Sequence, residues 1–241
     1  ASQFIGGVFP LVYFARKNSS RLHLTRCRLE LRPLGRICAN GSSELMGNIS
    51  MSLVSMLYNV QLMQYVGEDG IAAYGVLMYV SMIFQAIFIG YSVGTAPIVS
   101  YHYGAQNREE LKSLLRKAIF IVAIAALCMF AAGELLAAPL SRLFVAYDEE
   151  LLQMTTHAFA IFSFSFLFSG FAINGSSFFT ALNDGAVSAA ISFMRALVLP
   201  VICILVMPVI WQLDGVWYSM VASELLGLVV SSGFMLGNRK K

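Results

Sequence analysis

Long apolar runs separated by short polar turns dominate the chain. None of the long runs shows the strict alternation of apolar and polar residues that marks a strand, so the pattern predicts helices. Each is near or above the roughly 20 residues that a membrane-spanning helix needs. The six predicted spans lie at 41–65, 71–101, 118–138, 151–178, 186–206 and 216–236.

A shorter apolar run at 4–15 precedes the six spans and is too short to cross a bilayer. It lacks the basic flank and cleavage site of a signal peptide, and the chain starts with Ala1. We therefore expect residues 1–15 to be the tail of a preceding transmembrane helix. A basic linker at 16–40, a six-helix lobe at 41–237 and a short tail at 238–241 would follow. The predicted fold class is an all-α membrane protein with a six-transmembrane-helix lobe.

Composition supports a membrane protein. Hydrophobic residues make up 58% of the 241 positions and charged residues only 12%, against roughly 25% charged residues in soluble domains. The mean hydropathy is +0.73. An ordinary soluble domain is excluded, and in a bilayer the backbone must satisfy its own hydrogen bonds, as helices do.

Basic residues concentrate in alternate turns. The linker holds seven of the 16 Lys and Arg residues, the turn at 104–117 holds four, and the C-terminal tail holds three. The opposite turns hold only Arg142. By the positive-inside rule, the linker and the C-terminus are expected in the cytoplasm. The basic linker fits anionic lipid headgroups better than nucleic acid, because no soluble module accompanies it.

A polar stripe follows one face of the first predicted span. Its members recur every three or four residues, which places them on one side of a helix: Glu44, Asn48, Ser52, Ser55 and Asn59. The second span has a similar face with Tyr74, Ser81 and Gln85. Such side chains can line a water- or substrate-filled cavity, or they can hold helices together. We treat these eight residues as candidate cavity-lining residues on the concave side of the lobe.

Arg195 and Glu224 lie at similar depth in consecutive predicted spans. Either charge alone would be unfavourable inside the membrane, so we expect the two to form an ion pair. Arginine suits such pairs because its guanidinium group can hold a carboxylate through two hydrogen bonds. Two roles for this pair stay open: it can hold two helices together, or it can take part in gating or cation coupling.

The sequence does not predict an enzyme. It contains no G-x-S-x-G motif, no phosphate-binding glycine loop after a strand, and no His, Cys and Asp cluster with metal-ligand spacing. We expect no catalytic residues, no bound metal and no organic cofactor.

Four stretches of the chain carry a family resemblance through their order and spacing, since each is short and degenerate by itself. They are IGYSVGTAPIVSYHYGAQNREELKSLLRKA at 89–118, GFAINGSSFFTALNDG at 170–185, SFMRALVLP at 192–200 and LDGVWYSMVASELL at 213–226. Together they resemble the multidrug and toxic compound extrusion (MATE) family, especially its bacterial MepA-like branch.

The resemblance implies the C-terminal lobe of a twelve-helix transporter built from two six-helix lobes. Such proteins exchange Na⁺ or H⁺, supplied by a gradient, for organic and often cationic compounds. The implied location is the bacterial plasma membrane. The implied partners are the lipid bilayer, small organic cations and the N-terminal lobe of the same protein, with no nucleic acid.

The coupling carboxylate cannot be transferred from the family to this chain. In many members it lies in the N-terminal lobe. Some members also use a carboxylate midway along the seventh helix, but here Met51, Ser52 and Leu53 occupy that region and Glu44 lies about two turns away. Two alternatives to a transporter fragment stay open: a half-size transporter that dimerises, and a membrane scaffold without transport activity.

Overall fold

The computed structural model describes residues 2–16 and 31–237. These residues are almost entirely helical and include no strand, which confirms the predicted all-α class. The chain divides into two compact units, Ala1–Cys38 and Ala39–Lys241. The first unit contains α1, Ser2–Ala15, which coincides with the predicted helix tail.

Long helices joined by tight turns build the second unit, and the first of them begins before the unit boundary at Ala39. Within the described ranges they are α2 (Leu31–Tyr65), α3 (Glu68–Gly104), α4 (Arg108–Val145), α5 (Glu149–Ser163), α6 (Phe166–Ala181), α7 (Gly185–Phe193) and α8 (Leu199–Gly237), with a π-helical turn at Met194–Val198 before α8. The start of α2 at Leu31 lies inside the predicted linker, so this helix begins ten residues earlier than the predicted span.

Asn and Asp side chains start three of these helices. Asn107 accepts a hydrogen bond from the Glu110 N–H at 3.1 Å. Asp148 accepts from the Leu151 N–H at 3.1 Å, and Asp184 accepts from the Val187 N–H at 3.3 Å. Each cap satisfies backbone donors that the first helical turn leaves free. The turns before α4, α5 and α7 therefore follow directly from local sequence.

The helix α4 is longer than the predicted third span. The span was expected to end before Pro139, but α4 continues through this proline to Val145. A proline removes only one intrahelical donor, and transmembrane helices tolerate that loss where neighbours or local adjustment compensate. The Asp148 cap, rather than Pro139, sets the boundary between α4 and α5.

The predicted fourth span is bent. The helices α5 and α6 meet at an angle of 49° between Ser163 and Phe166. At the bend the Ser165 N–H bonds to the Phe162 carbonyl, three residues back, at 2.8 Å. The Ser163 hydroxyl donates to the Phe159 carbonyl at 2.9 Å. Such side-chain bonds compete with the regular backbone pattern and favour a bend.

The helix α8 contains a chain reversal at Gln212, whose backbone is left-handed (φ 51°, ψ −127°). We call the part before Gln212 the first arm and the part after it the second arm. Gly215 packs directly on the backbone of Met207 and Pro208, where a Cβ atom would not fit. The arms are therefore antiparallel, as expected for the two consecutive spans predicted at 186–206 and 216–236.

The reversal affects the count of membrane passes. Three described helices are long and apolar enough to cross a membrane, or four if the bent pair α5–α6 forms one span. One of the three is the 53-residue run Gly185–Gly237, which the reversal at Gln212 divides into two parts. The helix α2 is long enough but falls short in apolarity, because it carries the polar stripe. The predicted six-helix count is thus supported in part.

The core of the lobe joins α2, α3, α5, α6 and the second arm of α8. Five large side chains at its centre are fully buried: Leu62, Leu77, Phe159, Phe166 and Trp217. A smaller cluster of Phe88, Val122 and Ala126 joins α3 to α4. Gly170 of α6 allows this close approach, because a Cβ atom there would lie 2.6 Å from the Phe88 ring.

The outer surface of the lobe is apolar. Met82, Leu135, Leu143 and Val209 are each at least 75% exposed, and many other large apolar side chains accompany them. A soluble protein rarely exposes so large an apolar area, whereas lipid tails solvate it well. Together with the long apolar helices, this surface identifies a multi-pass membrane protein.

Candidate functional site

An open groove of about 950 Å³ lies along α2. Uncharged polar and sulfur-containing side chains dominate its wall, and α3 adds one residue near its start. The lining residues are Met51, Ser52, Ser55, Met56, Asn59, Val60, Met63, Gln64 and Ile71. Three of the five predicted stripe residues, Ser52, Ser55 and Asn59, therefore come together in this groove.

Asn59 is the most polar buried feature of the groove wall. Its side chain is half-buried, and within the described part of the chain its Oδ1 atom has no hydrogen-bond partner. A buried amide oxygen without a partner is unfavourable by about 1–3 kcal/mol. The groove thus contains a polar group whose bonding capacity the lobe itself does not satisfy.

A buried polar connection lies directly behind the groove. The Ser55 side chain lies next to the Tyr74 hydroxyl on α3. The Tyr74 ring stacks on Tyr58 with 5.4 Å between centroids and 9° between planes. The Tyr58 hydroxyl in turn lies 2.9 Å from the Ser219 hydroxyl on the second arm of α8. The groove wall is therefore tied to α3 and α8 through two tyrosines.

Four other predicted cavity residues, whose side chains the structure describes, do not line this groove. Tyr74 and Ser81 are buried inside the lobe, and the Gln85 amide donates to the Ser81 hydroxyl at 3.0 Å. Asn48 is exposed, and its backbone carbonyl accepts a hydrogen bond from Ser52. The Glu44 side chain lies outside the described residues.

Arg195 and Glu224 form a two-bond ion pair. The Arg195 Nε and Nη2 atoms donate to the two carboxylate oxygens of Glu224 at 3.0 and 2.9 Å. Their side chains are only 21% and 18% exposed. Arg195 belongs to the π-helical turn and Glu224 to the second arm, so the pair links the two antiparallel passes.

The search for spaced polar residues missed part of the groove wall. Met51, Met56 and Met63 also line the groove, although the spacing of polar residues did not select them. The spacing of these methionines could have predicted their place in the groove, because residues three or four positions apart are neighbours on a helix surface. Met56 and Met63, for example, lie four positions after Ser52 and Asn59. Methionine suits a variable cavity because its side chain is flexible and polarisable.

Among the described residues, no group of three or more His, Cys, Asp or Glu side chains could hold a metal ion. The groove wall itself contains no charged residue. It can therefore contribute shape, hydrogen bonds and polarisable sulfur contacts, while any charge recognition needs groups outside it.

The comparison with curated proteins finds a homologous multidrug exporter. The chain is 25% identical over 230 residues to the multidrug export protein MepA of Staphylococcus haemolyticus. The match covers 92% of this chain and 49% of that protein. The chain therefore spans about half the length of this curated relative.

Solved transporter structures have the same fold. A MOP superfamily transporter from Pyrococcus furiosus superposes with a TM-score of 0.86 at 21% identity, covering 99% of this chain and 54% of that one. The outward-facing conformation of a MATE family multidrug resistance transporter gives a TM-score of 0.85 at 21% identity, with the same coverage.

The family model described as MatE matches residues 45–205. The matched range runs from α2 into the first arm of α8 and includes the groove wall, the bend between α5 and α6, and the π-helical turn. It covers more than half of the chain, and the relative and the solved structures agree with it. The chain belongs to the MatE family of membrane transporters.

Proposed function

We propose that the chain is the C-terminal lobe of a cation-coupled secondary antiporter that exports organic, often cationic compounds. The observation that carries this proposal is the open groove on α2, where Ser52, Ser55 and Asn59 lie together. A helix that only faced lipid would not keep an amide and two hydroxyls on one side.

The chemistry of the groove suits varied organic molecules. Flexible methionine side chains can repack around ligands of different shape, as in other proteins that bind many partners. The hydroxyl and amide groups offer hydrogen bonds without fixing one ligand geometry. Because the wall is uncharged, a coupling carboxylate for Na⁺ or H⁺ would come from outside the groove wall.

A second lobe would complete the cavity. The groove is open on one side, and the relative MepA is about twice as long as this chain. Many secondary transporters bind substrate between two structural repeats that rock against each other. In this proposal the groove faces an N-terminal lobe of the same protein, in the bacterial plasma membrane, with the basic linker and C-terminus in the cytoplasm.

Transport in proteoliposomes tests the proposal. The chain is reconstituted alone and together with the product of its upstream coding sequence, and gradient-driven efflux of a fluorescent organic cation is measured. We expect efflux only when both parts are present, under a Na⁺ or H⁺ gradient. Efflux by the chain alone would indicate a half-size transporter that dimerises, and no efflux in either case would favour a scaffold.

Asn59→Leu tests whether the groove itself takes part in transport. It removes the unpaired amide with little change in volume, and we expect efflux to fall about tenfold, as for the loss of one or two hydrogen bonds. Gln153→Leu on α5 is the control, because Gln153 is exposed and does not line the groove. Equal effects of both substitutions would contradict a role for the groove.

A further inference from the structure

A second cavity lies between α3, α4 and α6, away from the groove on α2. Its volume is about 210 Å³. One turn before the lining residue Asn174 on α6, Gly170 packs on Phe88 and Val122. Towards the other side the Ser100 hydroxyl donates to the Ala181 carbonyl at 3.0 Å, tying α3 to the end of α6. The cavity therefore occupies the part of the lobe next to the turn at 104–107.

The polar groups around this cavity can all donate hydrogen bonds. Asn174 is buried, at 6% exposure, and the buried Ser92 hydroxyl of the same lining has no hydrogen-bond partner in the described part of the chain. Ser177 lies one turn further along α6, and the Lys117 ammonium is the charged group of the lining. No acidic side chain lines the cavity, and the remaining walls are mostly apolar.

Lys117 keeps most of its bonding capacity. Its Nζ atom lies 3.7 Å from a Glu110 carboxylate oxygen, which is longer than a hydrogen bond, and its side chain is 64% exposed. Arg108, Lys112 and Arg116 lie on the same first turns of α4, so this is the basic end of the lobe. Basic pockets between transmembrane helices favour anionic lipid headgroups.

We propose that this cavity binds the head of an anionic phospholipid. Lys117 contacts the phosphate, Asn174 and Ser177 donate to phosphate or glycerol-ester oxygens, and the apolar walls receive the start of an acyl chain. An organic cation does not fit, because Lys117 repels it. A purely apolar ligand does not fit either, because it leaves the buried Ser92 hydroxyl without a partner. This site is independent of the proposed transport function.

Lipid binding to the full 241-residue chain in a neutral detergent tests the proposal. Phosphatidylglycerol and phosphatidylcholine with the same acyl chains are compared by native mass spectrometry, with inorganic phosphate as a third ligand. We expect tighter binding of phosphatidylglycerol by about fivefold or more, the effect of one basic residue near anionic lipid. Equal binding of the two lipids would overturn the proposal. Inorganic phosphate that displaces phosphatidylglycerol would overturn the lipid assignment.

Substitutions locate the binding. Lys117→Gln should abolish the preference for phosphatidylglycerol, whereas Lys112→Gln on the same helix should keep it, because Lys112 does not line the cavity. If both variants lose the preference for phosphatidylglycerol equally, the lipid is attracted by the basic surface as a whole, and the proposal is overturned. Glu110→Gln removes the carboxylate nearest Lys117 and should leave binding equal or tighter, which provides a test should Lys117→Gln fail to fold.

Discussion

The Tyr58 hydroxyl donates a hydrogen bond to the Ser219 hydroxyl across 2.9 Å in the interior of the lobe. The direction follows from Ser219, whose own hydrogen goes to the Val216 carbonyl at 2.6 Å. Both side chains are buried. This bond fixes the helix that carries the groove against the second arm of α8, so the groove wall and the hairpin share one support.

Tyr58→Phe removes this bond and leaves the ring in place. We expect the free energy of unfolding to fall by about 0.5–1.5 kcal/mol, the usual contribution of a hydrogen bond. Thermal denaturation in detergent measures the change. Tyr79→Phe is the control, because Tyr79 is 70% exposed and should be nearly neutral. Ser219→Ala is then introduced into the wild type and into the Tyr58→Phe variant. If it lowers the free energy of unfolding equally in both, the two hydroxyls are not coupled.

Arg195→Gln and Glu224→Gln each leave one charge without its partner. We expect each to lower stability by roughly 2–4 kcal/mol, between the values for exposed and buried pairs. The double substitution should recover most of the loss, because two neutral amides can bond to each other. The yield of monodisperse protein and its melting temperature report the effect. A double variant as unstable as the sum of the singles would argue against direct pairing.

Gly170→Ala tests the close packing of α6 on α3. The new methyl group would lie 2.6 Å from the Phe88 ring, so we expect a loss of about 1–3 kcal/mol from overpacking. Gly90→Ala is the matched control on α3, because nothing lies within 4 Å of its Cβ position. That change should be neutral or slightly stabilising, since alanine favours helices. Similar melting temperatures for the two variants would contradict the packing.

Thiol labelling tests whether water reaches the groove on α2. In a background with all native cysteines replaced by alanine, Ser52→Cys should react with a membrane-impermeant maleimide in detergent-solubilised protein. Ser81→Cys should stay unreactive, because Ser81 is only 4% exposed. The ratio of labelling rates is the measurement. Comparable rates at the two positions would mean that the groove is not the more accessible surface.

The same reagent tests the membrane topology. In intact cells Asp69→Cys and Asp214→Cys should be labelled from outside, because their turns lie opposite the basic turns. Gln106→Cys should be labelled only after permeabilisation, since it lies next to the basic start of α4. Labelling of Asp69→Cys and Gln106→Cys from the same side would contradict an odd number of passes between them.

Much of the fold could be predicted from local sequence. Apolar length indicated where helices enter the membrane, and the Asn and Asp caps explain why α4 and α7 begin where they do. Other features depend on tertiary contacts. The α5–α6 bend has no proline signal, and it occurs where Ser163 packs against Gly133 of α4. Pro139 suggested a helix end, but α4 continues past it.

The candidate site was predictable only in part, because periodicity shows which residues share a face and not what that face meets. Ser52 and Ser81 illustrate this limit. Both belong to polar faces with the same spacing, yet Ser52 lines the groove and Ser81 is buried next to Gln85. The difference arises from the neighbouring helices, which a single helical pattern does not specify.

The π-helical turn at Met194–Val198 has a consequence for how this segment tolerates insertions and deletions. The Leu199 N–H bonds to the Met194 carbonyl five residues back, so the turn holds one residue more than an α-helical turn. Deleting one residue there would restore a regular helix and rotate everything before it by about 100° relative to the first arm. Ser188 and Ser192, which now meet the Ser176 hydroxyl at 3.0 and 2.7 Å, would then face elsewhere. This short turn therefore sets the rotational phase between α7 and α8, and substitutions should be tolerated there far better than changes in length.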